Sequence, residues 1–578
     1  MPTPLDHEFV RSAARAADRT AAPLAAGPDE ELTGVPHRAL ARRVRTLVAA
    51  YRSPASALHG SGQAVAAATT HLRALRAVQT TTGLFAGGDN VQSPPDSAFT
   101  VNDVCDAHVL AAGGGPELHD VAAALAEIAG AATGSLLTGG VHTPNHRWEL
   151  SAALARLHRS FPDDRLLERV EEWLAEGVDI DAEGLYSERS AVYAALVTNP
   201  SLLLLADVLG RADLLGRADL LAAVERNLAT TLDLIRPDGT VETVHSRRQD
   251  QHHPFPLAPY LPHYRLLAIR TGRGDFGRAA RLAAAGGIDD PDLLAETLLT
   301  PDLCRVLPAP APQTLPRDRY LTTARLAARA SATAHTVVYG GSDVPGHRRI
   351  RSGLACNPTF LRLFAGDAVL DAVRLSRAFF DLGPFRAADM RRLADNRYRL
   401  TETLTAAYYQ PLPPDRRRDD GSYRMADEGR FSAAMAFPDR PRDEVSHTTR
   451  VEVDLRDDGA DLRIDISGPR APWALELTFR PGGVPEGAVP LGDGRWCLTT
   501  GPVTYRAGDD EIRIEAHVET GEPLAGPDRS DVLRYDPGQD HTVVGGTDAT
   551  TGNRLYLGGL GPHTLTVALR ARRPAPVV

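Results

Sequence analysis

The apolar residues change period partway along the chain, and that switch constrains the fold more than any other feature. From about residue 5 to 300 they recur at helical spacing, in Ala/Leu-rich stretches at 36–52, 62–82, 117–131, 146–160, 164–176 and 218–235. Short Gly/Pro/Asp turns separate the stretches, so successive helices must run antiparallel and pack side by side. A long series of such hairpins closes most economically as an α/α toroid. The proline-rich segment VLPAPAPQTLPRDR then reads as a linker. Beyond it the runs HTVVYGG, TFLRLFAG, RLTETLTAAYY, TRVEVDLRDDGADLRIDISG, APWALELTFRPGG, VTYRAGDDEIRIEAHV and HTLTVALRAR alternate every second residue between DDG, PGG and GDG turns. Alternation of that kind predicts stacked antiparallel sheets. The expected architecture is therefore α+β and multidomain, an α/α toroid over 1–315 followed by an antiparallel β-sandwich over 316–578. The hexapeptide GRADLL, tandem at 210–221, is far too short a period for a solenoid and counts as a local duplication.

Composition narrows the function. Hydrophobic content of 43% and charge of 24% are those of a soluble globular protein, and no run approaches the ~18 uninterrupted apolar residues of a membrane span. The net charge of −10 disfavours nucleic acid, whose phosphates need a basic surface. The start, MPTPLDHEFVRSAARAADRT, lacks a basic segment followed by an apolar one, so the cytoplasm is the expected compartment. Cys105, Cys304, Cys356 and Cys497 are scattered without CxxC spacing, which predicts free thiols. All 64 basic residues are arginine. A codon bias accounts for this, yet it leaves every cation a planar fork suited to carboxylates.

The densest polar signal in the helical half is GGVHTPNHRWELSAALARLHRSF, residues 139–161. Thr143 before Pro144 is a helix-start pattern, which puts Asn145 and His146 in the first turn. His146, Leu150, Leu154 and Leu157 share one face, so the imidazole is expected at the inner mouth of a toroid, beside free backbone N–H groups and the positive end of the helix dipole. A ligand carboxylate is favoured there, with Asn145 as a further donor and Trp148 among the substrate contacts. Glu149, one turn along, can orient His146 by accepting its second N–H. The plain alternative is an Asn-His pair that only caps the helix.

Three further stretches join it. In DIDAEGLYSERSAVYAALVTNP (179–200), Ser187 is expected to cap a short helix ending before Asn199-Pro200, with Tyr193 inside it and Tyr186 ahead of it. A tyrosine works as acid or base only when nearby cations lower its pKa, and Arg189 is one such cation. Glu188 sits between these residues and is counted with them as a substrate contact. In IRPDGTVETVHSRRQDQHHPF (235–255), His245, Arg247, Arg248, Asp250, His252 and His253 follow in close succession and interrupt an otherwise apolar pattern. A charge run of this kind is usually a solvated face, but its density points to binding. In NVQSPPDSAFTVNDVCDAHVL (90–110), Gln92, Asp96 and Asn102 flank a helix start, where Asp96 or Ser97 is the expected cap and ligand contact is the secondary reading.

Together these stretches resemble the heparinase II/III-like and alginate-lyase-like polysaccharide lyases. The matching features are Asn145-His146 at a helix start, the His146-x-x-Glu149 spacing, the EGLYSERSAVY segment ending at Tyr193, and the RPDGTVETVHSRRQD segment. The resemblance implies an incomplete α/α toroid followed by an antiparallel β-sandwich, and β-elimination at a uronic acid. On that reading Asn145, Arg247 or Arg248 and the helix tip neutralise the sugar carboxylate. His146 and Tyr193 then supply base and acid. If the C5 proton and leaving group are syn, Tyr193 serves as donor and base with His146 assisting. If they are anti, His146 is the base and Tyr193 the acid, and the sequence leaves both open. Asn145, His146, Tyr193 and Arg248 form the expected catalytic set. Gln92, Asp96, Trp148, Glu149, Tyr186, Glu188, Arg189, His245, Arg247, Asp250 and His253 form the expected substrate contacts.

One departure stands out. The H-x-H-x-D motif of many relatives, early in the sandwich, is missing. The corresponding stretch GSDVPGHRRIRSGLACNPTFLRLFAG offers His347, Arg348, Arg349 and Asn357 as its polar candidates. No cofactor is required, and a structural divalent metal is compatible with the resemblance but not predicted. The expected partner is an acidic glycan, with no nucleic acid and no membrane, and the oligomeric state is left open. Without a leader, the natural substrates would be imported oligosaccharides trimmed from one end. Two rivals remain: a glycoside hydrolase drawing a carboxyl pair from Asp96, Glu149, Asp181, Glu188 and Asp250, and a glycan-binding protein. The second is disfavoured by an aromatic content of only 6%.

Overall fold

Helices α1 (His7–Ala26), α2 (His37–Arg52), α3 (Gly62–Ala77), α4 (Pro94–Ala112), α5 (His119–Thr138), α6 (Pro144–Ser160) and α7 (Asp164–Leu174) follow one another through short connections. The computed structural model describes residues 4–27, 32–88, 90–211, 217–348, 350–380, 382–429, 432–528 and 552–573. After a short turn of helix, α8 (Ala191–Tyr193), the series continues as α9 (Asn199–Arg211), α10 (Arg217–Leu234), α11 (Leu261–Thr271), α12 (Gly274–Ala283) and α13 (Leu293–Leu299). Much of the tandem GRADLL repeat lies outside the described residues, as does Arg349.

The helices pack in two layers. α2 lies against α4, α4 against α6, and α6 against α9, while α1, α3, α5 and α7 pack in turn behind them. This is the alternation of an incomplete α/α toroid. The inner helices are buried around most of their circumference, so α4 hides Asp96, Thr100, Asn102 and Asp106 as well as its apolar residues. Buried charge must be paired, and it is: Arg45 meets Asp103 at 2.9 Å and Asp292 at 3.0 Å, and Arg156 and Arg159 meet Asp106 at 3.0 and 2.8 Å. The outer helix α7 buries only Leu166 and Val170. Two helical stretches, Pro116–Thr138 and Ala191–Gly210, are long and apolar enough to cross a membrane by length and composition alone. Of their apolar windows, 33% and 61% respectively are buried in the fold.

The chain divides into two compact units, residues 1–232 with 256–313, and residues 233–255 with 314–578. The polar stretch 235–255 thus belongs with the strands. In the second unit, among the described residues, one sheet runs in the order 484–486, 503–507, 510–520, 563–572, 459–467, 442–456, 397–409, 389–394. A second runs 489–492, 495–497, 553–560, 472–479, 368–377, 361–365, 335–339, 326–330, 317–321. Their pairings are antiparallel except for 495–497 beside 553–560. The core draws on both sheets: Leu375, Leu477 and Leu557 of one pack with Leu400, Val451, Leu462 and Val567 of the other. This is a β-sandwich built on the alternation seen in sequence.

Its interior also holds charge. Strand 368–377 buries Arg374 and Arg377. Arg374 pairs with Glu476 directly across the ladder. Arg377 reaches the other sheet, where Nη1 donates to Glu402 at 2.5 Å and to Thr449 at 3.1 Å.

Candidate active site

In the first unit, the tip of α6 is built around a helix start that lacks its side-chain cap. Thr143 has the extended backbone of an N-cap, but its hydroxyl is buried with no hydrogen-bond partner among the described residues. Asn145 follows in the first turn, 1% exposed. Its Nδ2 donates to both carboxylate oxygens of Glu188, each at 2.9 Å. His146 is half-buried, edge-on to the His142 ring at 4.6 Å and to Phe99 at 6.4 Å.

The segment that supplies Glu188 is a tight hairpin. Ile180 bridges Tyr186, the Asp181 carboxylate accepts from the N–H groups of Glu183 and Leu185, and Gly184 turns the chain at φ +90°. A side chain at Gly184 would meet Arg226 O at 2.6 Å, so glycine is required twice over. Asp179 fastens the hairpin to α6, accepting from Trp148 Nε1 at 2.9 Å, from Arg147 at 3.3 Å and from Ser187 Oγ. Arg189 then takes a left-handed conformation, φ +51°, and redirects the chain into the Tyr193 helix.

The expected cap at Ser187 is corrected here. Ser187 is committed to Asp179, and Ser190 caps the helix by accepting from Tyr193 N at 3.1 Å. The expected stop before Asn199-Pro200 is corrected as well. A π turn, Ala194–Thr198, follows Tyr193 and leads straight into α9. Pro200 has no N–H to give, and a widened turn is one way a helix absorbs that loss. Tyr193 therefore stands half-buried at the junction between a capped start and a π turn.

Other predicted contacts lie deeper. Trp148 is 1% and Tyr186 5% exposed, and the Tyr186 hydroxyl donates to Asn199 at 2.8 Å. Burial, followed by the charge of Asp179, pushes the Tyr186 phenol well above its ordinary value. Both residues underlie the site. Glu149 accepts from Asn102 Nδ2 at 2.6 Å, and burial pushes its carboxyl up to about 7 against the pull of that bond. Asp96 is paired with Arg38 and accepts from Asn90. Burial pushes its carboxyl up, but the Asn90 bonds and Arg38 outweigh it and hold the group below its usual value. Neither Asp96 nor Ser97 caps α4; Ser93 does, accepting from Asp96 N at 3.1 Å, because Pro94 and Pro95 move the helix start forward. Gln92 is exposed and left-handed at φ +48°.

The second unit holds the remaining candidates. Glu242 roots their segment: it pairs with Arg236 at 3.3 Å, accepts from Arg362, and takes the N–H groups of Thr243 and Val244 at 2.8 Å. His245 follows, 2% exposed. Ser246 Oγ donates to Asp250 and accepts from Arg248 N at 3.0 Å, which curls the chain. Arg247 forks onto Asp343 at 2.9 and 3.0 Å. Gln251 accepts from the N–H groups of Cys356 and Asn357, and Asn357 donates back to Gln251 O. Two stretches far apart in sequence, 245–253 and 343–357, are thereby one structure. His253 is exposed, while Arg248 is half-buried. Sequence reasoning missed Asp179, Ser190 and Asp343, whose partners are fixed only by the fold. Among the described residues, no group of three or more His, Cys, Asp or Glu side chains is arranged to hold a metal.

No family model matches the chain, and no curated protein matches it in sequence. Solved structures do. Heparinase III superposes with a TM-score of 0.55 at 9% identity, covering 93% of this chain and 77% of that one. Heparan sulfate lyase HepC from Pedobacter heparinus gives 0.50 at 10% identity, covering 100% and 85%. The chondroitin AC lyase of Streptomyces coelicolor A3, in complex with chondroitin sulphate, gives 0.52 at 13% identity, covering 98% and 80%. The fold is that of the polysaccharide lyases.

Proposed function

We propose that this chain is a polysaccharide or oligosaccharide lyase that cleaves a uronic-acid-containing glycan by β-elimination. The observation that carries the reading is the bond from Asn145 to Glu188. It joins the α6 tip, with His146, to the segment that begins the Tyr193 helix, so an imidazole and a phenol are offered from two elements tied together at a helix N-terminus. The shared fold supports the same reading.

The chemistry needs three things. The uronate carboxylate must be neutralised so that C5 becomes acidic, and the backbone N–H groups and dipole of the α6 tip suit that task. Arg248 is kept in the proposal for its side-chain chemistry alone. A base must take the C5 proton, and the C4–O bond must break with its electron pair passing to the leaving oxygen, which an acid protonates. His146 and Tyr193 are proposed for these roles. In the syn case Tyr193 returns the proton it has taken, and in the anti case the two residues divide the work. The product carries a C4–C5 double bond conjugated with its carboxylate.

That double bond is the test. A panel of uronate glycans is incubated with the protein and followed by ultraviolet absorbance, with Tyr193→Phe and His146→Ala as controls. Tyr193→Phe is expected to lower kcat by roughly 10²–10⁴-fold, the usual worth of a positioned acid or base. New reducing ends without absorbance would transfer the site to hydrolysis. Full activity in both variants would remove these residues from the mechanism.

A further inference from the structure

Along strands 397–409 and 442–456, Leu400 and Val451 enter the sandwich core, so the alternate side chains stand on the outer face of their sheet. That face carries a hollow of about 400 Å³, within the roughly 300–1,000 Å³ of small-ligand sites. Arg391, Arg399 and Arg450 line it together with Asp389, Thr401 and Thr403. The ladder sets Arg391 directly opposite Arg399, and Arg450 opposite Thr401. Like charges set opposite one another cost stability, and the carboxylates nearby do not cancel all three. Asp389 holds Arg391 at 2.5 Å and Glu452 holds Arg399 at 2.6 Å. Arg450 is exposed and has no ion pair among the described residues. Asp465, its neighbour across the ladder, accepts instead from Thr564 at 3.0 Å and Arg463 at 3.4 Å. Arginine on the edge strand 389–394 alone would read as a guard against pairing with another sheet. Arg399 and Arg450 stand one and two strands in from that edge, where no guard is needed.

From the hollow the face continues as hydroxyls, Thr403 bonded to Thr448 at 2.9 Å and Thr405 to Ser446 at 3.1 Å. It then reaches a second hollow of about 630 Å³, where Tyr409 stands among Arg348, Arg442, Asp427 and Glu428. Arg450 and Arg442 share one strand and lie roughly 27 Å apart along it, at ~3.4 Å per residue. Past Arg399 in the other direction, a hollow that includes Asp454, Asp461 and Glu515 holds more carboxylates than guanidiniums. We infer that this face is a second glycan-binding site, separate from the α6 tip: the hollow of Arg391, Arg399 and Arg450 takes a carboxylate of a uronate chain, which runs along the hydroxyls toward Tyr409. A planar carboxylate matches the guanidinium fork, and mixed acids, arginines and a phenol suit sugar hydroxyls further on. A single exposed ion pair binds weakly. The fitting occupant is therefore a polymer whose linked sugars repeat the contact, and not a lone anion. The inference takes its ligand class from the uronate-glycan reading and uses none of the chemistry proposed for His146 and Tyr193.

The experiment compares a uronate polymer with a uronate disaccharide, on the wild-type chain and on the double variant Arg391→Ala/Arg450→Ala. Both side chains are exposed, so the melting temperature should hold. For the polymer, Kd by affinity electrophoresis and KM are expected to rise by about tenfold or more in the variant, with the disaccharide values unchanged. Hydroxyl-radical footprinting of the wild type should show Tyr409 shielded by the polymer and not by the disaccharide. Equal effects on both ligands, or none on either, overturn the inference. Reducing the polymer carboxyl groups to alcohols should abolish the difference between wild type and variant, and a difference that survives overturns the carboxylate assignment. A sulfated chain free of uronate that binds as tightly and shields Tyr409 overturns it too, as does shielding in concentrated protein without glycan, the mark of a second copy. A tenfold difference with no rise in ultraviolet absorbance leaves this site standing and defeats the lyase reading. Rising absorbance with equal polymer KM in both proteins defeats this inference alone, and no binding of any uronate polymer defeats both.

Discussion

Glu242→Gln removes the charge that roots the His245–Asp250 stretch. Burial by itself would push this carboxyl up. The guanidiniums of Arg236 and Arg362 and the N–H of Val244 outweigh burial and hold it at about 2, from an ordinary 4.5. A depressed folded value means that the stabilisation is complete above the unfolded value and is lost as pH falls through the folded one. The window is therefore pH 4.5 down to about 2. The shift corresponds to about 3 kcal/mol at neutral pH, at roughly 1.4 kcal/mol per unit. An independent route gives a similar size, since stripping one partner from a buried ion pair typically costs about 3–5 kcal/mol. Glutamine keeps the shape and an acceptor for the Thr243 and Val244 N–H groups, so the loss reports the charge together with the second acceptor that faces Arg236. Urea unfolding of the second unit, followed by a probe on its strands, should show the variant about 3 kcal/mol less stable at pH 7. The gap should narrow progressively below pH 4.5. Curves that stay parallel to pH 3, or equal stability at pH 7, would refute the reasoning.

Glu149→Gln should act with the opposite sign. Its folded value of about 7 lies above 4.5, so stabilisation present at low pH is lost as pH rises through 7. The neutral variant should therefore gain on the wild type as pH rises from 4.5 through 7, by about 3 kcal/mol in melts at pH 9 against pH 4. Gly184→Ala should lower stability by more than about 1 kcal/mol, because φ is +90° and the new methyl meets backbone. Gly177→Ala, with open space around it, should cost visibly less in the same melt. Arg377→Lys keeps a cation for Glu402 but strands other acceptors of the guanidinium, so it should cost about 1–3 kcal/mol by denaturant titration, and recovery of wild-type stability would show that the guanidinium shape is immaterial.

Period carried most of the fold. The stretch 36–52 became His37–Arg52, 146–160 became Pro144–Ser160, and 218–235 became Arg217–Leu234. The DDG turn joins strands 442–456 and 459–467. What period does not encode is where one element hands over to the next. Ser187 and Ser190 are equally good caps in isolation, and Asp179 decides between them by occupying Ser187. Pro200 is a stop signal by local rules, overridden by a π turn in a buried helix. Pairing across long separations is equally hidden. Asn145 and Glu188 were each legible as candidates, but their bond spans 43 positions, and the stitching of Gln251 to Asn357 spans 106.

The all-arginine composition shows the same limit from another side. In sequence it is a bias without structural content. In the fold, Arg377 serves three acceptors at once: Nη1 donates to Glu402 and Thr449, and Nη2 donates to Gly383 O at 3.3 Å. A planar fork can hold donors at such angles in a space where the side chain is 0% exposed. An ammonium in that space would keep one strong contact and strand the others, and buried polar groups left unmade are what cost stability. Arg374 pairs with Glu476 within one sheet, and Arg362 of that sheet shares Glu242 with Arg236, both of which lie outside its strands. The interior of this sandwich is thus fitted to guanidinium geometry residue by residue, whatever first set the codon usage. Its tolerance of lysine, position by position, is a property of the fold rather than of the composition.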